Sequence, residues 1–170
     1  MPAGATYEPI ATTTLGSAQA SITFSSIPNT YTDLVIVFNG NSTNSGSSTN
    51  GMRCKLNSDS SALYSGTNMA GDGTTATSGR YSASTFFEGG EISQASGTPT
   101  LNIMQFMNYS NTTTFKSFLI RSNVAGSMVQ AQVGLYRSTS AITTIELSRD
   151  FGTNNLASGC TATLYGIAAA

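Results

Sequence analysis

The chain has 170 residues, of which 9% are charged: seven Lys and Arg against eight Asp and Glu, with no histidine. An average soluble domain carries about 25% charged residues, so Ser, Thr, Asn and Gly must wet this surface. A net charge of −1 provides no basic stripe to follow a phosphate backbone, which excludes nucleic acid as a partner, and the missing imidazole excludes Ser-His-Asp and Cys-His catalysis.

The opening residues, Met1-Pro-Ala-Gly-Ala-Thr6, lack the basic and apolar regions of a signal peptide. Synthesis in a cytoplasm is expected. No later run approaches the roughly 18 apolar residues of a membrane span, so no membrane partner is expected either. Tyr7 to Leu15 predicts a first strand, at an edge because Pro9 cannot donate to a ladder. Gly16 to Gln19 turn the chain into a second strand over 20–25, where Ile22 and Phe24 alternate with Ser21 and Thr23. After Pro28-Asn29, Leu34 to Phe38 are five unbroken apolar residues bounded by Asp33 and Asn39-Gly40, the pattern of a strand buried on both faces.

Residues 39–51 hold no apolar side chain and predict a solvated loop. Met52, Cys54 and Leu56 then alternate with Arg53, Lys55 and Asn57, a half-buried strand. Leu63-Tyr64 predicts a short strand, 65–79 a polar loop interrupted by Met69, and Arg80 to Glu88 another strand ending in Phe86-Phe87, followed by a Gly89-Gly90 turn. Thr100 to Tyr109 and Phe115 to Arg121 alternate, yet both faces of each carry apolar groups. Two doubly apolar strands in one small domain need two surfaces to bury against. Their residues Leu101, Ile103, Met104, Phe106, Met107, Phe115, Phe118, Leu119 and Ile120 are the candidate oligomer interface, with a covering loop or terminal segment as the plainer reading. Ser127 to Arg137 set Val129, Ala131, Val133 and Leu135 against Gln130, Gln132, Gly134 and Tyr136, and Ile142 to Ser148 follow as a hairpin partner. Thr161 to Ile167 close the domain.

This pattern predicts one all-β domain over 1–170: an antiparallel two-sheet sandwich of jelly-roll type, with about ten strands and no substantial helix. A chain of this length buries roughly 70% of the surface its unfolded form exposes, so it needs neither disulfide nor metal. Cys54 and Cys160 fit buried free thiols better than a bridge.

Nothing in the sequence assembles a reaction. Glu88 and Glu91 flank Gly89-Gly90 and read as solvated turn residues rather than a glycosidase pair. Asn57-Ser-Asp59-Ser-Ser61 is oxygen-rich but lacks the closing Gly and Glu of a calcium loop. Gly71-Asp-Gly73 lacks the third glycine and the strand-to-helix setting of a dinucleotide fingerprint, and reads as a turn. No catalytic residue, cofactor or metal is expected, and the chain is not expected to be an enzyme.

The two ends and two inner stretches carry a resemblance. Tyr7-Glu-Pro-Ile-Ala-Thr-Thr-Thr-Leu-Gly16, Ile22-Thr-Phe-Ser-Ser-Ile-Pro28, Tyr31-Thr-Asp-Leu-Val-Ile36, Asn108-Tyr-Ser-Asn-Thr-Thr-Thr-Phe-Lys116, Tyr136-Arg-Ser-Thr-Ser-Ala-Ile142 and Ala162-Thr-Leu-Tyr-Gly-Ile167 resemble small β-rich virion proteins of tailed bacteriophages. The resemblance spans nearly the whole chain and rests on strand and turn residues. It implies a virion structural protein, either a capsid decoration (cement) protein or the head of a tail fibre. The first predicted strand starts within a few residues of Met1 and the last ends three residues from Ala170, which leaves no length for a shaft. The expectation is therefore a cement protein on the capsid surface, a homotrimer bound to the phage major capsid protein. The alternative is a tail-fibre head or other recognition module whose polar loops 39–51, 65–79 and 88–98 bind a host glycan.

Overall fold

The computed structural model describes residues 6–44, 49–94, 97–149 and 155–168. Among them there is no helix, and the strands form two antiparallel sheets packed as a sandwich. The larger sheet has eight strands: β1 (Tyr7–Thr14), β3 (Asp33–Gly40), β5 (Tyr64–Gly71), β6 (Ala76–Ser84), β8 (Thr100–Met107), β9 (Lys116–Val124), β10 (Met128–Tyr136) and β12 (Thr161–Ile167). Their spatial order is β1-β12-β3-β8-β9-β10-β5-β6. The smaller sheet has β2 (Ser21–Phe24), β4 (Thr49–Leu56), β7 (Phe87–Ser93) and β11 (Ile145–Arg149), in the order β2-β11-β4-β7. Twelve strands thus replace the ten read from the sequence.

The core is the set of inward positions that period-two alternation supplies. Ile22 and Phe24, Met52, Cys54 and Leu56, and Ile145 and Leu147 come from the small sheet. Leu34, Ile36 and Phe38, Met104 and Phe106, and Phe118 and Ile120 come from the large one. Each buried side chain of this size stabilises the fold by about 1.5–3 kcal/mol relative to leaving it in water. Cys54 and Cys160 are both buried free thiols, and burial pushes the pKa of each up.

Four expectations are corrected. The polar stretch 65–79 is the β5-β6 hairpin, turned at Asp72, whose carboxylate accepts from the amides of Thr74 and Thr75. The hairpin was hidden because its strands lie at the sheet margin, where backbone pairing rather than apolar alternation holds them. Residues 80–88 belong to two strands in different sheets, with the break at Thr85-Phe86. Ile142 to Ser148 is no hairpin partner of β10: β11 crosses to the small sheet and pairs with β2 and β4. Finally, Gly89-Gly90 is a bulge inside β7, where the register against β4 shifts between Gly51 and Arg53. Gly90 has φ +94°, and a Cβ there would lie 2.8 Å from Asn102 Oδ1, so glycine lets β7 bend onto the large sheet.

That bend explains a group of buried polar residues. β7 is an edge strand, and side chains of the large sheet take its unpaired backbone groups. Tyr81 Oη accepts from Glu88 N (3.3 Å), Ser122 Oγ from Glu91 N (2.9 Å) and Thr100 Oγ1 from Ser93 N (2.7 Å), while Asn102 Nδ2 donates to Glu91 O (2.8 Å). Thr100, Asn102 and Ser122 are buried because they replace the strand that β7 lacks. Lys116, also buried, follows the same logic at the other end: its ammonium donates to the carbonyls of Asn111, Thr114 and Thr139. It ties two turns together, and burial lowers its pKa.

The 57–61 stretch caps its surroundings. Asn57 Oδ1 accepts from the amides of Thr143 and Thr144, and Asp59 accepts from Ser61 N and, at 2.6 Å, from Tyr136 Oη. The Tyr136 hydrogen bond, then that of Ser61, holds the Asp59 carboxyl below its usual range. On the tyrosine side, burial first and Asp59 second push the phenol up to about 12. A carboxylate whose folded pKa is depressed contributes stability above its unfolded pKa and loses it as pH falls through the folded value. Asp59→Asn should therefore lower stability at neutral pH by about 1 kcal/mol, a figure kept small because solvent screens this half-exposed group. The difference from wild type should begin to shrink near pH 3.9, about the ordinary Asp value in the unfolded chain, and vanish only below the depressed folded value. Urea unfolding at several pH values checks this, and a gap that persists in acid would mean that the hydrogen bond does not depend on ionisation.

Candidate interaction face

Strand β10 alternates as its sequence predicts, but with the polarity of a soluble sandwich reversed. Gln132, Gly134 and Tyr136 point into the core, and Val129, Ala131, Val133 and Leu135 point away from it. Gln132 is 1% exposed, whereas Val129 and Val133 are 62% and 60% exposed. The inward side is filled by specific counterparts, although Gln130 Oε1 and Gln132 Oε1 are buried without a hydrogen-bond partner. Gln132 Nε2 donates to Tyr81 Oη at 2.8 Å, Tyr136 stacks on Tyr64 at 4.7 Å between centroids, and the Phe118 ring fills the space above Gly134. Among the described residues, no such counterpart accounts for the outward valines.

The strand registers turn this into a surface. Opposed residues on neighbouring strands share a face, so the outer side of the large sheet reads as rungs. One runs Asn39, Leu101, Asn123, Val129, Gly71. The next runs Val37, Ile103, Arg121, Ala131, Met69, and the third runs Tyr165, Val35, Gln105, Leu119, Val133, Thr67, Arg80. Met69 is 66% exposed. Arg121 stands mid-face between Ile103 and Ala131, and the described residues of these three rungs include no acid. A shallow depression of about 580 Å³ lies beside Met69, Val129 and Ala131, and another of about 330 Å³ beside Leu101, Ile103 and Arg121.

The structure divides the nine interface candidates. Met104, Phe106, Phe118 and Ile120 are core residues between the sheets, 1% exposed or less, and contribute nothing to a surface. Leu101, Ile103 and Leu119 are partly covered on the outer face, and Met107 is exposed at its lower margin. Phe115 precedes β9 and is exposed in the turn. The doubly apolar character of both strands thus has one half explained by the sandwich and one half left on the outer face. Residues Val129, Ala131 and Val133, absent from the candidate set, lie on that face beside β9, two strands from the β6 margin. Their signal was present as an alternating strand whose other side carries Gln, Gln and Gly.

The acids read as turn residues are half-buried on β7, and Asn68 Nδ2 donates to Glu88 Oε2 at 3.2 Å. Among the described residues no group of three or more His, Cys, Asp or Glu is placed to hold a metal ion. Of the polar loops considered for a glycan, 65–79 is a hairpin and 88–93 is strand β7, while 45–48 and 95–96 lie outside the described residues.

No family model and no curated protein matches the chain. Among solved structures it is similar to a protein of unknown function from Shewanella oneidensis MR-1, at 12% identity over 100% of this chain and 74% of that one, with a TM-score of 0.26. It is also similar to an alginate lyase in complex with an alginate tetrasaccharide, at 7% identity over 82% of this chain and 72% of that one, with a TM-score of 0.29. Likeness at this level carries no argument about activity.

Proposed function

We propose that the chain is a structural protein of a tailed-bacteriophage virion, a cement protein that docks as a homotrimer on the outside of the coat shell and stabilises it. The observation that carries this reading is the inside-out strand β10, which leaves Val129, Ala131 and Val133 with Met69 as an exposed apolar patch on the outer face of the large sheet. With about 4.8 Å between strands and about 3.4 Å per residue, an eight-stranded face covers on the order of 800 Å². That is about one side of a standard stable interface. The resemblance of the strand and turn segments to small phage virion proteins supports the setting, and the scarcity of charge supports the mode of contact.

The action is adhesive. Binding to the closed shell and not to the opened one stabilises the closed state by mass action. Contacts made by valine, leucine and methionine are screened little by salt. Decorated particles should therefore keep the protein in high salt, at a copy number comparable with that of the coat protein. Purified particles washed in low and high salt and quantified by gel densitometry test this. Release by salt with the fold intact would overturn the apolar contact, and a few dozen copies or fewer would favour the recognition module of a tail.

A further inference from the structure

A sheet edge exposes backbone donors and acceptors that another strand can take, and proteins blunt their edges with proline, charge, shortness, bulges or cover. The two sheets end in β1, β6, β2 and β7. Three of these are blunted. β1 contains Pro9, with a register shift between Pro9 and Ala11. β2 has only four residues. β7 carries Glu88, Glu91 and the Gly90 bulge, and Tyr81, Ser122, Asn102 and Thr100 take its unpaired groups.

β6 has none of this protection along most of its length. Its nine residues, Ala76-Thr-Ser-Gly-Arg-Tyr-Ser-Ala-Ser84, include no proline and no acid, and Arg80 is the single charge. The register against β5 is regular from Ala76 to Tyr81, and the irregularity, with Ala83 at φ +52°, comes only at the end. Ala76, Thr77, Ser78, Arg80 and Ser82 are exposed.

We propose that β6 is a strand-addition edge whose occupant is β6 of a second copy, paired antiparallel about a two-fold axis at Gly79. A two-fold axis perpendicular to the sheet keeps the outer faces of both copies on one side, so opposed residues must share a face. The register centred on Gly79 pairs Thr77 to Tyr81, five of the six residues of the regular stretch. It sets Ser78 opposite the partner's Arg80 and Thr77 opposite the partner's Tyr81, whereas a register centred on Arg80 would oppose two guanidinium groups, which is destabilising. The small side chains on both strands let the backbones meet without clash. This pairing is independent of the outer-face contact, and on a shell it would join neighbouring trimers across two-fold positions.

The register makes Ser78 a two-way test, because each pair contains the contact twice. S78R opposes Arg80 of the other copy at both contacts, and S78E supplies an ion pair at both. Sedimentation of the full chain over a concentration series should show wild-type self-association weakened by S78R and strengthened by S78E. The two variants should differ roughly tenfold or more in association constant, a gap that narrows in high salt. Wild-type protein that shows no self-association beyond that of S78R, or variants that change it equally, would overturn the pairing. Val133→Arg keeps the two proposals apart, since Val133 stands on β10, two strands from this edge, and the variant should self-associate as wild type does while losing particles.

Discussion

Gly134→Ala should destabilise the domain by about 3 kcal/mol, near the upper end of what overpacking a core usually costs. A Cβ at Gly134 would sit 1.9 and 2.0 Å from two ring carbons of Phe118. The ring has no free space to leave by: it stacks on Phe87 at 4.0 Å, and Phe87 packs edge-on against Phe106 at 5.8 Å. Alanine is otherwise the better strand residue by about 0.5–1 kcal/mol, so a loss measures the steric conflict alone. Gly16 provides the control, with nothing within 4 Å of an added Cβ, and Gly16→Ala should shift the urea midpoint little. Phe118→Leu added to the Gly134→Ala chain should recover part of the loss. An unchanged midpoint for Gly134→Ala would show that the ring swings aside freely, and that the aromatic cluster is not what fixes the polarity of β10.

That polarity is where reading the sequence stops. Alternation places Val129, Ala131, Val133 and Leu135 on one face and Gln130, Gln132, Gly134 and Tyr136 on the other, and the structure agrees. It does not say which face is inside, because a period of two is the same from either side. Burial by composition points the valines inward. The opposite outcome depends on groups far away in sequence: Phe118, which needs a glycine beneath it, and Tyr81, whose hydroxyl receives Gln132. Neither partner is visible from the strand alone.

The same reasoning sorts the other successes and failures. Met52 to Leu56 alternate cleanly because β4 is a central strand with one face on the core, and Leu34 to Phe38 read correctly as a strand because their run is unbroken. β5 beyond Tyr64 and β6 before Arg80 read as a loop because Gly, Thr, Asn and Ser held at a sheet margin leave no period to detect. β7 was cut short because Gly89-Gly90 is a turn signal in sequence and a bulge in space. Buried Thr100, Asn102 and Ser122 were legible only as polar alternation, since their task is to satisfy an edge strand in the facing sheet.

Val133→Arg should abolish particle binding while leaving the fold intact. Val133 is 60% exposed and lies between Leu119 and Thr67 on the outer face. In the free protein the new guanidinium extends into water, and the change in stability should stay within about 0.5 kcal/mol. In a docked complex the same group would lose its water beside Leu119, and the described residues of the outer rungs offer no carboxylate to meet it. Such a buried unpaired charge costs about 3 kcal/mol or more, which is roughly a hundredfold in affinity. Thr23→Arg is the matched control, because Thr23 is exposed on the opposite side of the sandwich, between the buried Ile22 and Phe24 of β2. Co-sedimentation with undecorated shells should show wild type and Thr23→Arg bound and Val133→Arg in the supernatant, with equal melting temperatures for all three. Equal binding by Val133→Arg would remove the outer face as the contact. Loss of binding in both variants would place the effect in net charge rather than in the face, because the two chains differ only in where the cation stands.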